Sequence, residues 1–395
     1  MRIESKQAFE EAVKAATAVN DKRTREIMVC CGTGCLANGS QAVADAFAQR
    51  IGDLGLDVKL SLHAKTTGCH GFCERGPLVV LKPEGILYTK VKPRDVDEIL
   101  EKTVGNGEII PRLLYRNPEN RQPIEKYEEI PFYKHQVRVS MRNIGRIDPA
   151  SLDDALAHGA YAGMARALFE LTPEQVIAEV RESGLRGRGG AGFSTARKWD
   201  ATRKAVGERK FVLCNGDEGD PGAFKDRSIM EGDPHAVIEG MVIGAYAIGA
   251  REGYVYVRDE YPLAVHHMNL AIEKAKERGL LGKNILGTGF DFDLKVSRGG
   301  GAFVCGESSA LMRSIEGKIG EPRAKYIHAS DKGLFDLPTA LNNVETWSVV
   351  GQILNQGGAW FASMGTKKSK GTKSFSLVGK VKNTGLIELP MGTTL

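Results

Sequence analysis

The sequence predicts an α/β protein in four stretches, and three observations predict it. Five of the seven cysteines crowd between residues 30 and 73, inside about 100 residues patterned α-β-α-β-β-α. From about residue 138 to 365, apolar strand-like runs alternate with helical periodicity, which argues a layered α/β domain. Between these, residues 105–137 are rich in Pro, Asn and charge with little periodicity and read as an extended linker. The expected boundaries are 1–104, 105–137, 138–365 and a last piece, 366–395.

The 395 residues suffice for two or three cores. An apolar content of 42% and a charged content of 26% are ordinary for water-exposed globular chains. The net charge of +5 is spread rather than packed into a run, a poor signal for nucleic acid. No run of 18 apolar residues occurs, and MRIESKQAFEEAV lacks a signal peptide's apolar centre. The expectation is therefore a cytoplasmic protein with no nucleic-acid partner and no direct membrane insertion.

In the first stretch, residues 5–19 (SKQAFEEAVKAATAV) read as an amphipathic helix, and REIMVCC as a strand entering a Gly-rich turn. A helix over about 39–51, a strand at DVKLSLHA, a loop TGCHGFCERG, a strand PLVVLK, a hairpin through PEGILYTKV and a helix VDEILEKTV follow. That order suits a small thioredoxin-like sandwich whose cysteine loops gather at one end. In the third stretch, Thr172 is placed to N-cap a helix with Pro173 at its first position and Gln175 closing a capping box. FVLCNG, GYVYVRDE and DFDLKVSRG read as strands, HAVIEGMVIGAYAIGA and PLAVHHMNLAIEKAKERG as helices. The tail SKGTKSFSLVGKVKNTGLIELPMGTTL has strand patterning and stops without a closing element, so the natural chain is expected to continue.

Cys30 and Cys35 are separated by four residues, Cys69 and Cys73 by three. Two such pairs can bring four thiolates to one centre, either tetrahedral zinc or a [2Fe-2S] cluster, with a redox disulfide or simple packing as the remaining readings. The wide gaps and the neighbouring Gly32, Gly34, Gly68 and Gly71 favour the cluster, and Cys31 is read as a bystander. Cys214 and Cys305 read as small buried residues.

Residues 184–199, GLRGRGGAGFSTARKW, contain G-x-G-x-x-G at Gly187, Gly189 and Gly192. They follow a helix rather than a strand, which opposes a Rossmann crossover, and no G-K-[ST] ending supports a Walker loop. Open glycine amides beside Arg186, Arg188, Arg197 and Lys198 suit a phosphate. C214-N-G-D-E-G-D-P-G222 places Asp217, Glu218 and Asp220 past a buried strand, where carboxylates hold sugar-like hydroxyls or a divalent metal. R298-G-G-G-A-F-V-C-G-E-S-S309 offers Glu307 and a helix start, and L341-N-N-V-E-T-W347 sets two amides side by side. Together these loops describe a pocket for a flat, phosphorylated, hydroxyl-rich cofactor.

These residues carry a resemblance. GLRGRGGAGFSTARKW, NGDEGDPGAFKDR, GGGAFVCGE, EGKIGEPR and LNNVETW, in this order, resemble the NADH-binding flavoprotein subunit of respiratory complex I and its soluble relatives. Those relatives are the beta subunits of NAD(P)-linked and electron-bifurcating hydrogenases, formate dehydrogenases and transhydrogenases. The N-terminal cysteine motifs resemble the soluble branch. The resemblance implies a non-Rossmann α/β FMN-binding domain at 138–365, the start of a ubiquitin-like β-grasp domain at 366–395, and hydride transfer between a nicotinamide and flavin N5, with single electrons passed to iron–sulfur centres.

By motif, Gly187, Arg188, Gly189, Lys198, Asn215, Asp217, Glu218, Gly306, Asn342, Asn343 and Thr346 are implied to hold FMN. Phe193, Glu307 and Lys325 are implied to face NAD(H) or NADP(H), and Gly190, Gly192 and Phe303 also belong to the expected cofactor site. Cys30, Cys35, Cys69 and Cys73 are the expected cluster ligands. Hydride transfer needs no general acid or base, so no catalytic residue is assigned.

Three departures stand out. Ser308 follows Glu307 where the family commonly has a second Glu, which implies weaker exclusion of NADP(H). His328 stands where a Phe is usual, and no cysteine follows Cys305, so a [4Fe-4S] cluster is expected only in a continuation of the chain. The implied partners are a thioredoxin-like [2Fe-2S] subunit, an iron–sulfur-rich catalytic subunit and, in bifurcating assemblies, ferredoxin. Two other readings are a non-catalytic electron-relay or scaffold subunit that keeps the cluster, and a zinc-bearing regulator fused to a nucleotide sensor.

Overall fold

The computed structural model describes residues 2–324 and 326–394. Its N-terminal sheet has four strands, β1 (Arg25–Cys30), β2 (Leu62–Thr67), β3 (Val79–Lys82) and β4 (Ile86–Tyr88), in the order β2-β1-β3-β4. β1 and β2 run parallel, and β3 is antiparallel to β1 and β4. Parallel neighbours need a crossover, which the helix Ser40–Leu54 provides. Its Val43, Phe47 and Ile51, four residues apart, lie on one face and pack over Ile27, Val29 and Leu62. Because Cys30 pairs with Thr67 at the sheet end, the loops leaving β1 and β2 emerge together.

Three features depart from the sequence pattern. The first helix, Lys6–Lys22, forms as expected with Ser5 accepting from Ala8 N at 3.1 Å, but its Phe9–Ala16 face, with Ile3 just before the helix, joins the core of the second domain. It lies against the helices Leu152–Ala157 and Ala162–Glu170, not on the small sheet. Amphipathic spacing dictates a buried face without naming the core that receives it. Second, the start of DVKLSLHA is a helical turn, Leu56–Lys59, and the strand begins only at Leu62.

Third, residues 105–137 are a packed strap rather than a solvated linker. Ile110, Leu113 and Leu114 fill the small core, and a short pair, β5 (Tyr115–Arg116) with β6 (Pro123–Ile124), turns the chain back. Phe132 then stacks on Phe72, in the cysteine loop, with ring centroids 4.4 Å apart. The buried apolar side chains, Ile110, Leu113, Leu114, Tyr115, Ile130, Phe132 and Tyr133, are too irregularly spaced to give a periodic signal.

The second domain is built on four parallel strands, β7 (Phe211–Gly216), β8 (Glu252–Arg258), β9 (Asp293–Gly299) and β10 (Thr339–Asn343), ordered β10-β7-β8-β9. The run Phe211–Cys214 of central β7 is continuously apolar and buried because both faces are covered, whereas edge strand β9 is only partly buried. The helix Pro234–Ile248 is buried on nearly every side, which explains its all-round apolar sequence. LNNVETW, read as a loop, is the end of strand β10 and the start of the helix Val344–Ser348. The last piece is a hairpin, β11 (Thr372–Leu377) and β12 (Gly385–Pro390). Buried Glu388 ties it down, accepting from the N–H groups of Val139, Ser140 and Met141 at 2.9 Å and from Thr372 Oγ1 at 2.5 Å. No helix among the described residues is long and apolar enough to cross a membrane.

Candidate functional site

The strand order fixes where a ligand can enter. From β7 the chain proceeds outward through β8 to β9 and then returns to place β10 on the other side of β7, so the connections diverge at the C-terminal ends of β7 and β10. In open parallel sheets that divergence leaves a crevice. Here it is a cavity of about 890 Å3, bounded by Asn215, Asp217 and Glu218 after β7 and by Asn342 and Asn343 at the end of β10. Gly187, Arg188, Gly189, Gly190, Gly192, Phe193, Lys198, Phe303, Gly306 and Glu307 also line it. Lys325 lies outside the described residues.

The Gly-rich loop is pinched at its base. Gly187 N donates to Phe193 O at 2.8 Å and Thr195 N to Leu185 O at 3.1 Å, so residues 188–192 project as a tip. Gly190 (φ 117°) and Gly192 (φ 62°) take backbone angles that a side chain would strain. Among the described residues the N–H groups of Gly189, Gly190, Ala191 and Gly192 donate to no protein acceptor. Buried Arg188 turns away, donating to Lys370 O at 2.7 Å and Arg186 O at 3.3 Å, while its N–H meets Thr346 Oγ1 at 2.9 Å. Thr346 is therefore behind the wall and acts on the loop.

Lys198 rises from the helix that Ser194 caps and donates to Leu341 O at 2.5 Å and Asn342 Oδ1 at 3.1 Å. With no carboxylate partner, burial brings its ammonium down to about 8. Two carboxylates read as ligand-holding are committed to helix starts. Glu218 accepts from the N–H groups of Lys225, Asp226 and Arg227 at 3.0 to 3.2 Å, and burial followed by the nearby Asp226 pushes it up to about 7. Glu307 accepts from Ser309 N at 2.8 Å and Ala310 N at 3.0 Å. Asn343 also serves the scaffold, donating to Asp226 Oδ2 at 2.7 Å and accepting from Glu345 N at 3.0 Å.

Residues that the sequence reading passed over supply much of the charge. Lys225 Nζ contacts Asp226 Oδ1 at 2.5 Å and Glu345 Oε2 at 3.3 Å, and Lys373 Nζ contacts the same Glu345 oxygen at 2.6 Å. Both lysines line the cavity. Burial alone would raise the Glu345 carboxyl, but the two lysines hold it below its usual range. Lys373 belongs to KKSKGTKS, a stretch that reads in sequence as a solvated connection; the β11 pairing instead carries it inward.

The four cysteines converge at the end of the small sheet. Cys30, Cys35 and Cys69 are buried and Cys73 half-buried, with Cys69 and Cys73 Sγ atoms 3.3 Å apart and Cys30 in contact with Cys35 and Cys69. Gly71 N donates to Cys69 Sγ at 3.3 Å. A Cβ on Gly76 would approach Cys35 Sγ to 2.6 Å, and one on Gly32 would approach Cys69 Cβ to 2.7 Å. The thiol contacts run in series, Cys35 to Cys30 to Cys69 to Cys73, and among the described residues no three His, Cys, Asp or Glu side chains are placed around a single ion. Cys31 faces Ser40 at 3.8 Å, and burial pushes its thiol up to about 11.

The two sites are neighbours. Glu231, at the end of the helix Lys225–Gly232, accepts from Thr33 N at 3.1 Å and Thr33 Oγ1 at 2.5 Å, inside the first cysteine loop. Gly68 abuts Gly232 so closely that a Cβ there would lie 2.3 Å from its Cα. Gly71 O accepts from Leu386 N at 2.7 Å, so the β12 strand also braces the second cysteine loop.

Residues 180–352 match the Nuo51 FMN-binding domain, and residues 17–104 match the thioredoxin-like [2Fe-2S] ferredoxin. The chain thus carries a Nuo51-type FMN-binding domain and a thioredoxin-like [2Fe-2S] domain. It is 52% identical over 262 residues to the NADP-reducing hydrogenase subunit HndC of Solidesulfovibrio fructosivorans, covering 66% of this chain and 53% of that protein. To the alpha subunit of the NAD-reducing hydrogenase HoxS of Cupriavidus necator it is 36% identical, covering 93% of this chain and 59% of the other. The chain thus spans little more than half the length of these relatives. A crystal structure of NAD+-reducing [NiFe]-hydrogenase in the H2-reduced state superposes with a TM-score of 0.57 at 26% identity, over 98% of this chain and 64% of the other.

The cavity fits the FMN of a Nuo51 flavoprotein. Among the described residues Asn342 Nδ2 and Asp217 Oδ2 are buried without a partner, one a donor and one an acceptor, and such atoms need a ligand to complete them. The free amides of the glycine tip suit the phosphate. The four adjacent thiols, with glycines clearing space around them, likewise fit a two-iron cluster, which would take Cys30, Cys35, Cys69 and Cys73 as thiolate ligands.

Proposed function

We propose that this chain is the NAD(P)H-oxidising, and in reverse NAD(P)+-reducing, flavin subunit of a multisubunit iron–sulfur oxidoreductase. One observation carries the reading. The helix Lys225–Gly232 lines the flavin cavity with its first two residues and meets the cysteine loops with its last two. At 1.5 Å per residue its eight residues span about 12 Å, a single short helix between the two redox sites.

Bound FMN would supply the exchange between a two-electron hydride and single electrons. The chain's own residues position. The Gly189–Gly192 amides receive the phosphate, Asn342 Nδ2 and Asp217 Oδ2 meet polar edges, and Lys198 adds positive charge below them. Phe193 and Phe303, both exposed on separate loops, offer flat faces to the dinucleotide. Glu307, held by its helix, leaves no second carboxylate at Ser308, so NADP(H) is accepted beside NAD(H); the relative HndC carries NADP reduction in its name.

The same reading places the protein in the cytoplasm with iron–sulfur partner subunits, one of them hydrogenase-like or formate dehydrogenase-like, and with ferredoxin where electrons are bifurcated. Anaerobic reconstitution with FMN and iron tests it: a yellow protein that reduces a dye with NADH, and with NADPH at a measurable kcat/KM, is expected. Flavin uptake without any dye reduction would instead assign a relay or scaffold subunit.

A further inference from the structure

We propose that the cleft between the small sandwich, the strap and the flavin domain binds a diphosphate-type anion. The cleft measures about 690 Å3, within the range of small-molecule pockets, and is separate from the flavin cavity. Cationic side chains dominate its lining, with Glu128 the one carboxylate among the described lining residues.

Several of those cations are already engaged. Lys82 Nζ lies 3.3 Å from Glu26, and His158 Nδ1 lies 3.3 Å from Asp154. Arg138 donates to His70 O and Gln136 Oε1 at 3.0 Å and reaches Tyr127 Oη at 3.4 Å. Three cations remain.

Among the described residues Arg142 uses only Nη1, at 3.3 Å from Val139 O and 3.4 Å from Ser348 O; its Nε and Nη2 are buried without a partner there. Asp233 and Glu239 feel its charge but form no salt bridge with it. Lys134 and Arg146 are exposed and, among the described residues, pair with no acceptor.

Two nearly fully buried lining residues also carry polar atoms without partners. Tyr133 is 7% exposed with an unpaired Oη, and His70 is 2% exposed with an unpaired Nδ1. Buried polar groups are normally satisfied, so four such atoms around one cleft mark a site that a ligand completes. The free Nε–Nη2 edge of a guanidinium matches two oxygens of one phosphate. Lys134 and Arg146 then suit a second phosphate, which makes the occupant at least doubly charged. A free diphosphate and the diphosphate of a nucleotide share this chemistry.

Calorimetry on the full chain loaded with FMN and cluster, at low ionic strength, tests the site with inorganic pyrophosphate and then with ADP. Saturable pyrophosphate binding is expected, with ADP tighter if a nucleotide is the occupant and no tighter if the free anion is. Arg142→Ala should weaken binding about 10- to 100-fold, the effect of losing charge-assisted hydrogen bonds. Arg142 packs beside buried carboxylates, so Lys134→Ala and Arg146→Ala, at exposed positions, serve as the second test. Each should weaken binding several-fold with flavin and iron content unchanged. Absence of binding heat, or heat unaltered in both exposed-site variants, would overturn the proposal.

Discussion

In the small domain four thiols come from two short stretches, residues 30–35 and 69–73, which the parallel register of β1 and β2 delivers to one sheet end. In the large domain the cavity gathers side chains from positions as distant as Gly187 and Lys373, and only the return of β10 to the side of β7 creates the space between them. The first site depends on local spacing and one strand pair, the second on the order of an entire sheet. Their cores are also distinct, so damage to one need not reach the other.

The comparison can be broken or sharpened by substitution. Cys69→Ser should have the largest effect, reducing iron content and the cluster's EPR signal to background while flavin binding persists; simultaneous loss of flavin would show that the two sites are not separable. Next, Glu345→Gln leaves Lys225 and Lys373 without their shared carboxylate in a buried setting. It should cost about 3 kcal/mol in urea unfolding and weaken FMN binding, because breaking a buried pair strands Lys373 while Lys225 keeps Asp226.

Gly68→Val attacks the seam between the sites. A side chain there must push Gly232 away, and rapid mixing with NADH should show cluster reduction slowed about tenfold or more with flavin reduction intact. Unchanged cluster reduction would remove the helix Lys225–Gly232 from the route.

A pH effect comes from Glu218, raised to about 7 from the ordinary 4.5 by burial and Asp226. Its protonation adds stability that is complete below pH 4.5 and lost as the pH rises through about 7. Glu218→Gln should flatten the apoprotein's stability profile across that window, by on the order of 3 kcal/mol. The smallest effect belongs to Cys31→Ala: its thiol faces Ser40, so iron content should not change.

The legible part of the cavity was the set of loops, since glycines, carboxylates and paired amides at strand ends are unusual in number. What each side chain does there was less legible. Arg188 turns out to fasten the loop to Lys370, and Glu218, Glu307 and Asn343 cap helices, roles decided by which N–H groups the packing brings near. Lys225 had a faint signal, lying within the quoted NGDEGDPGAFKDR motif, whereas Lys373 had none. A lysine among lysines looks solvated until a hairpin folds it inward.

The sequence by itself determined most of the helices and strands and the cysteine spacings. The capping box at Thr172, the apolar strand runs and the two cysteine spacings all depend on neighbours within a few residues. Tertiary structure alone decided that the first helix serves the second core, that residues 105–137 form a strap, and that β10 returns beside β7. Each is a contact between residues far apart in the chain, where periodicity fixes which face is buried but not what it is buried against.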